Sequence, residues 1–171
     1  ITQAAAKEFG KIAAELREWK VEEMAIARFI TKVVFCMFAT DVGLLPKGTF
    51  SEVIRIHRES GDAKAFQKYL SRLFKAMDKG GKFNMHEIPY FNGELFRDTD
   101  VPEHLSAQEI HTLERLDALN WADVEPSIFG TLFEWVLDPM GERKILGAHY
   151  TSRDDIELIV RKIQTGRVHG P

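Results

Sequence analysis

One apolar segment, from about Glu22 to Thr40, constrains the fold of this 171-residue chain more than any other. Its apolar side chains recur at three- and four-residue steps, which place them on one side of an α-helix. They are Ile26, Phe29, Ile30, Val33, Val34, Met37 and Phe38. Because this apolar face is broad, the helix needs partners on several sides to bury it. The sequence therefore predicts a helix at the centre of a helical bundle.

Polar signals predict where neighbouring helices begin. Residues 49–52 and 106–109 have the spacing of Ser or Thr followed three residues later by Glu, which is typical of a capping box. Asp62 precedes an apolar stripe that runs from Phe66 to Met77, so it is predicted to start a helix as well. These segments indicate several short helices around the central one.

Residues 83–101 interrupt the helical periodicity, and they contain Asn92-Gly93, a dipeptide typical of tight turns. Farther along, Pro126 stands where a first-turn proline would introduce another helix. We therefore predict a mainly α fold, an orthogonal helical bundle with a short hairpin or irregular loop near residues 83–101.

The composition is that of an ordinary globular protein, with 44% hydrophobic and 29% charged residues. Cys36 is the single cysteine and lies in an apolar run, which favours a buried side chain in a reducing compartment. The longest apolar stretch is interrupted by Arg28, Lys32 and Asp41, and no signal peptide is visible. We expect a cytoplasmic protein with no membrane-spanning segment.

The six histidines raise the question of a metal site. No two of them have the spacing that places two ligands on one helix face, and there is no Cys-x-x-Cys pair. No metal-binding residues are predicted.

Four basic residues of the helix after Asp62 share roughly one face, which Lys79 and Lys82 extend: Lys64, Lys68, Arg72 and Lys75. Such a face could contact the phosphates of DNA without reading its sequence. A solvated helix face explains the same pattern. The net charge of −3 does not decide between the two, because it does not report how charge is distributed.

A second polar segment occupies residues 147–152, Gly-Ala-His-Tyr-Thr-Ser, and Asp154 and Asp155 follow it at the start of an apolar-periodic stretch. A loop at a helix N-terminus presents main-chain N–H groups and hydroxyls to a polar ligand. The segment is therefore a candidate binding loop.

Three sequence blocks carry a family resemblance. They are Pro-Tyr-Phe-Asn-Gly-Glu-Leu-Phe at 89–96, Pro-Ser-Ile-Phe-Gly-Thr-Leu-Phe-Glu at 126–134, and Arg-x-x-Leu-Gly-Ala-His-Tyr-Thr-Ser at 143–152. In this order they resemble the MmeI-like, single-chain type II restriction–modification enzymes, in which endonuclease and DNA adenine methyltransferase share one polypeptide. The run from Arg28 to Asp41, followed by Gly-Leu-Leu-Pro at 43–46, is similar to the helical region of that family. The resemblance covers about residues 25–160.

The resemblance implies a domain organisation and a cofactor. Residues 1–142 would form a helical spacer or connector domain, and 143–171 would begin a truncated methyltransferase domain. Gly147, His149, Tyr150 and Thr151 would help to hold S-adenosylmethionine, although Ser152 departs from the proline that many members have there. The implied partners are DNA, through the parent protein, and the adjacent nuclease and methyltransferase domains.

The fragment itself is predicted to be inactive. It has neither a Gly-rich cofactor loop after a strand nor the Asn/Asp-Pro-Pro-Tyr motif that holds the target adenine. An alternative is a stand-alone helical protein-interaction module. That alternative predicts a large exposed apolar patch on the folded domain.

Overall fold

A computed structural model describes residues 2–91 and 94–124 of the chain. Five α-helices and one short hairpin account for its regular structure, and a 3₁₀ turn (Trp121–Asp123) follows the last helix. The elements in chain order are α1 (Thr2–Glu18), α2 (Glu23–Asp41), α3 (Thr49–Ser60), α4 (Ala63–Lys79), β1 (Gly81–Phe83), β2 (His86–Ile88) and α5 (Ala107–Asp117). The prediction of a mainly α fold is confirmed.

Helix α2 is the central element of the core, as its broad apolar face predicts. Almost every side chain from Ile26 to Ala39 is buried, and α2 packs against α1, α3 and the 3₁₀ turn. Cys36 is fully buried, with its Sγ 3.4 Å from Met77 Sδ on α4. Burial raises the pKa of the Cys36 thiol far above its usual range, so this side chain behaves as a small hydrophobic residue.

Two polar residues of α2 hold distant parts of the chain against it. The ammonium group of Lys32 donates hydrogen bonds to the carbonyl oxygens of Asp98, at 2.6 Å, and Asp100, at 3.1 Å. The carboxylate of Asp41 accepts a hydrogen bond from the main-chain N–H of Trp121 at 2.7 Å. Two of the three charged residues that interrupt the apolar run, Lys32 and Asp41, therefore stabilise tertiary contacts.

All three predicted helices form, and two of the three predicted N-terminal caps are present. Asp62 is the N-cap of α4 and accepts a hydrogen bond from the Lys64 N–H at 2.8 Å. Ser106 and Glu109 form the capping box of α5, in which the Ser106 N–H donates to the Glu109 carboxylate at 2.8 Å.

The capping box predicted at residues 49–52 is wrong. Gly48, with φ of 80°, is the N-cap of α3, and Thr49 is already inside the helix. The Thr49 hydroxyl donates to the Pro46 carbonyl oxygen at 2.5 Å. The Glu52 carboxylate instead lies 2.9 Å from the His86 ring on the hairpin, which is a tertiary contact.

The hairpin begins slightly earlier than predicted. β1 and β2 pair antiparallel, with Gly81 opposite Ile88 and Phe83 opposite His86, and the turn residue Asn84 has φ of 50°. Asn is one of the few residues that adopt this left-handed conformation readily. The Asn92-Gly93 pair, the helix predicted after Pro126 and the segment 143–152 lie outside the described residues.

Candidate nucleic-acid interface

Helix α4 has two faces with different chemistry. Its inner face is fully buried in the core and consists of Phe66, Leu70, Leu73, Phe74 and Met77. Its outer face carries the four basic residues that the sequence singled out, and all four are exposed: Lys64, Lys68, Arg72 and Lys75. At 3.6 residues per turn these two sets lie on opposite sides of the helix. We call the outer set the α4 basic face.

The α4 basic face is straight and rigidly supported. Eleven residues separate Lys64 from Lys75, which corresponds to about 16 Å along the helix axis. Gln67 Nε2 donates to the Glu103 carbonyl oxygen at 3.0 Å, and Ser71 Oγ donates to the Thr99 carbonyl oxygen at 3.0 Å. The segment around residues 99–103 is therefore bound along one flank of α4 and leaves the basic residues uncovered.

The electrostatics of this face differ from those of neighbouring helices. On α3, Arg55 pairs with Glu59 at 2.9 Å and Arg58 pairs with Glu114 of α5. Among the residues that the structure describes, no carboxylate lies within ion-pair distance of any member of the α4 basic face. The Arg72 guanidinium lies 5.0 Å from the centre of the Tyr69 ring, a cation–π contact that leaves its charge available.

Asp98, one of the acidic residues in the segment beside this flank, has its carboxylate near cations of α2. The Asp98 carboxylate lies 3.9 Å from Arg28 and 3.9 Å from Lys32, both on α2. Farther along α4, Lys79 has a carboxylate neighbour, Asp78, at 3.3 Å. Four cations without a carboxylate partner among the described residues therefore lie together on one helix face, whereas Lys7, Lys20 and Lys47, which also have none, lie apart from one another in the chain.

A cleft of about 610 Å³ between α3 and α5 was not predicted from the sequence. Ser51 donates to the Asp117 carboxylate at 2.6 Å at its wall, and the Arg58–Glu114 pair lies beside it. Burial raises the pKa of Asp117, while the hydrogen bond from Ser51 opposes that shift. The charged groups lining this cleft largely compensate one another. The sequence offered no signal for it, because α3 and α5 are far apart in the chain.

The described part of the chain presents three exposed large hydrophobic side chains: Trp19 follows α1, Val42 follows α2, and Met85 lies in the hairpin turn. Trp19 is stacked on the His104 ring at 4.9 Å. The extended apolar patch that a stand-alone interaction module requires is not found on this described surface.

The structure contains, within its described ranges, no cluster of three or more residues suited to a metal ion. None of the helices it describes meets the length and hydropathy of a membrane span.

The four residues predicted to contact S-adenosylmethionine lie outside the described residues: Gly147, His149, Tyr150 and Thr151. Their role remains a prediction. Candidate sites among the described residues include the α4 basic face and the internally compensated cleft between α3 and α5.

The architecture, a bundle of short helices packed around α2, is that of a helical spacer domain. Residues 24–96, from α2 through the hairpin to Phe96, match the MmeI helicase spacer domain. The chain belongs to the MmeI-like restriction–modification family, and it contributes the helical spacer of that family.

Two curated relatives agree with this assignment. The chain is 30% identical over 140 residues to the protein named DNA methyltransferase A of Bacillus subtilis, a match that covers 79% of this chain and 16% of the relative. It is 26% identical over 162 residues to a Methanocaldococcus jannaschii protein named as a type II restriction enzyme and methyltransferase, covering 78% and 14% respectively. The chain thus spans about a sixth of the length of these relatives or less. No solved structure matches it.

Proposed function

We propose that this chain is the spacer of a polypeptide that methylates adenine-N6 in DNA, and that it couples the methyltransferase to a nuclease module. The observation that carries the proposal is the spacer-domain match over residues 24–96. The names of the two relatives support the methyltransferase and restriction activities. The substrate of the whole polypeptide would be duplex DNA.

The packing of the domain suits a rigid connector. A connector transmits position only if its ends cannot move independently, which requires a well-packed core between them. Here α2 is enclosed by other elements, and its Lys32 and Asp41 side chains fix segments that are 66 and 80 residues away in sequence. These contacts join distant parts of the chain into one unit.

Residues 143–171 would begin the methyltransferase domain. Gly147, His149, Tyr150 and Thr151 would then contribute to the binding of S-adenosylmethionine, whose bound form supplies an electrophilic methyl group. The carboxylate and ammonium of the cofactor need both hydrogen-bond donors and acceptors, which a Thr hydroxyl and the main chain of a loop provide. The adenosyl and target-base pockets would come from the rest of the polypeptide.

The test uses the complete polypeptide encoded by the gene, assayed for methyl transfer from S-adenosylmethionine to adenine in duplex DNA. Phe74→Ala removes a fully buried ring from the spacer core and should lower activity by loosening the connection. Lys7→Gln, at an exposed position of α1, is the control and should leave activity unchanged. A complete polypeptide without adenine methylation would contradict the proposal.

A further inference from the structure

We propose that the α4 basic face binds the phosphate backbone of duplex DNA, independently of base sequence. The inference rests on the proposed function, which supplies DNA as the substrate. It adds that the spacer itself is a DNA-contacting element, and it names the residues that make the contact: Lys64, Lys68, Arg72 and Lys75.

The charges of the α4 basic face are available for a ligand. A cation already paired with a carboxylate must break that pair before it can bind a phosphate, whereas an uncompensated cation exchanges only water and mobile ions. Arg17, Arg55, Arg58 and Arg115 each contact a carboxylate in the folded domain. The α4 basic face has no such partner among the described residues, although the chain as a whole is acidic.

The spacing of the α4 basic face suits the phosphates of a duplex. Four cations spaced over about 16 Å on one straight helix can meet several successive phosphates, because one strand carries a phosphate every 3.4 Å of duplex axis. The buried inner face fixes the helix against the core, so binding need not order the backbone. The Tyr69 ring restricts the Arg72 guanidinium, which further lowers the cost of ordering its side chain.

The composition of the α4 basic face favours DNA over an acidic protein partner. Protein–protein interfaces are enriched in aromatic residues and Met at their centre and are depleted in Lys. The α4 basic face contains three lysines, and none of the exposed large hydrophobic side chains in the described part of the chain lies on α4. Its chemistry therefore matches a regularly spaced polyanion better than a folded protein surface.

The experiment compares two triple variants that change the net charge equally. The first carries Lys64→Gln, Lys68→Gln and Lys75→Gln on α4. The second carries Lys7→Gln on α1 and Lys20→Gln and Lys47→Gln in the connections between helices, all at exposed positions. Binding of the 171-residue chain to a fluorescent DNA duplex is measured by anisotropy over a range of salt concentrations. Circular dichroism checks that each variant is folded.

We expect the unaltered chain to bind two duplexes of unrelated sequence equally, with an affinity that falls steeply as salt is added. The α4 variant should bind more weakly, and the slope of log affinity against log salt should decrease by about 1 for each lysine removed. The control triple variant should keep the slope of the unaltered chain.

Equal losses in the two variants would overturn the proposal, because they would reflect overall charge and not this face. Undetectable binding of the unaltered chain to the duplex at low salt would overturn the proposal too. Preferential binding of an acidic protein over DNA would also overturn it. Methylation by the complete polypeptide is measured separately. If methylation is present but the α4 variant binds DNA normally, the spacer function stands and the DNA-contacting role fails.

Discussion

The Lys32 ammonium on α2 donates a hydrogen bond to the main-chain carbonyl oxygen of Asp98 over 2.6 Å, and the Lys32 side chain is fully buried. The Asp100 carbonyl oxygen accepts a second bond, and the Phe74 ring lies 4.8 Å away. Burial lowers the pKa of Lys32, and the nearby Asp98 and Asp100 carboxylates oppose this shift. A single side chain thus joins α2, α4 and the segment before α5.

Lys32→Met should destabilise the domain, because it keeps the volume of the side chain but removes the donor for two carbonyl oxygens. A hydrogen bond that involves a charged group contributes about 1.5–3 kcal/mol to the free energy of unfolding, and the two lost here are part-buried. Urea denaturation followed by circular dichroism measures this loss. Arg28→Met is the matched control, because the half-exposed Arg28 side chain makes only a long contact, 3.9 Å, with the Asp98 carboxylate. This substitution should change the free energy of unfolding by at most ~0.5 kcal/mol. Equal effects of the two substitutions would show that the buried bonds contribute little.

The stability of the domain should fall as pH decreases below about 6.5, the ordinary pKa of a histidine. His57 is buried, and its Nε2 has no hydrogen-bond partner in the described part of the structure. Burial, and secondarily His111, lowers the pKa of His57, while Asp62 opposes the shift. The unfolded chain therefore takes up a proton at a higher pH than the folded chain does. The stability that His57 contributes is fully present above its pKa in the unfolded chain. It is lost as pH falls from there towards its pKa in the folded chain.

His57→Phe tests this dependence, because the phenyl ring can pack near Phe66 but cannot be protonated. Midpoints of thermal unfolding measured across the acidic range should fall less steeply for this variant than for the unaltered chain. His104→Phe, at an exposed position stacked on Trp19, serves as the comparison. If His104→Phe reduces the slope as much as His57→Phe does, the buried ring is not the source.

Ser106→Ala should lower the free energy of unfolding by about 1 kcal/mol, the usual cost of removing a good N-cap. The Ser106 hydroxyl belongs to the capping box that starts α5, and Glu109 completes the box from the other side. Gln108→Ala lies in the same turn at an exposed position and should have almost no effect. Chemical denaturation of both variants provides the measurement. An unaffected Ser106→Ala protein would mean that other packing alone fixes the start of α5.

Calorimetric titration of the 171-residue chain with S-adenosylmethionine should show little or no binding. The candidate loop at residues 147–151 is predicted to supply only part of a cofactor site, and the sequence has no Gly-rich loop for the adenosyl group. A cofactor held by a few contacts cannot recover the cost of its immobilisation. Tight binding by the isolated chain would contradict this prediction and would indicate that the site is already complete.

Most helices of this fold could be predicted from the sequence because their causes are local. The three- and four-residue periodicity of α2 identified the central helix, and Asp62 and Ser106 marked the starts of α4 and α5 correctly. Each of these signals depends on residues within a few turns of one another. The failed prediction at Thr49 shows the limit, since the Glu52 carboxylate contacts His86 from a hairpin 34 residues away.

For the candidate interface, the sequence alone determined that Lys64, Lys68, Arg72 and Lys75 share one helix face, because helical geometry fixes spacing along a chain. Only the tertiary structure decided that this face is exposed and uncompensated. The positions of Asp98 beside Lys32 and of Glu114 beside Arg58 follow from how distant segments pack. Pairing between charges depends on distance in space, and for residues far apart in the chain the packed core sets that distance.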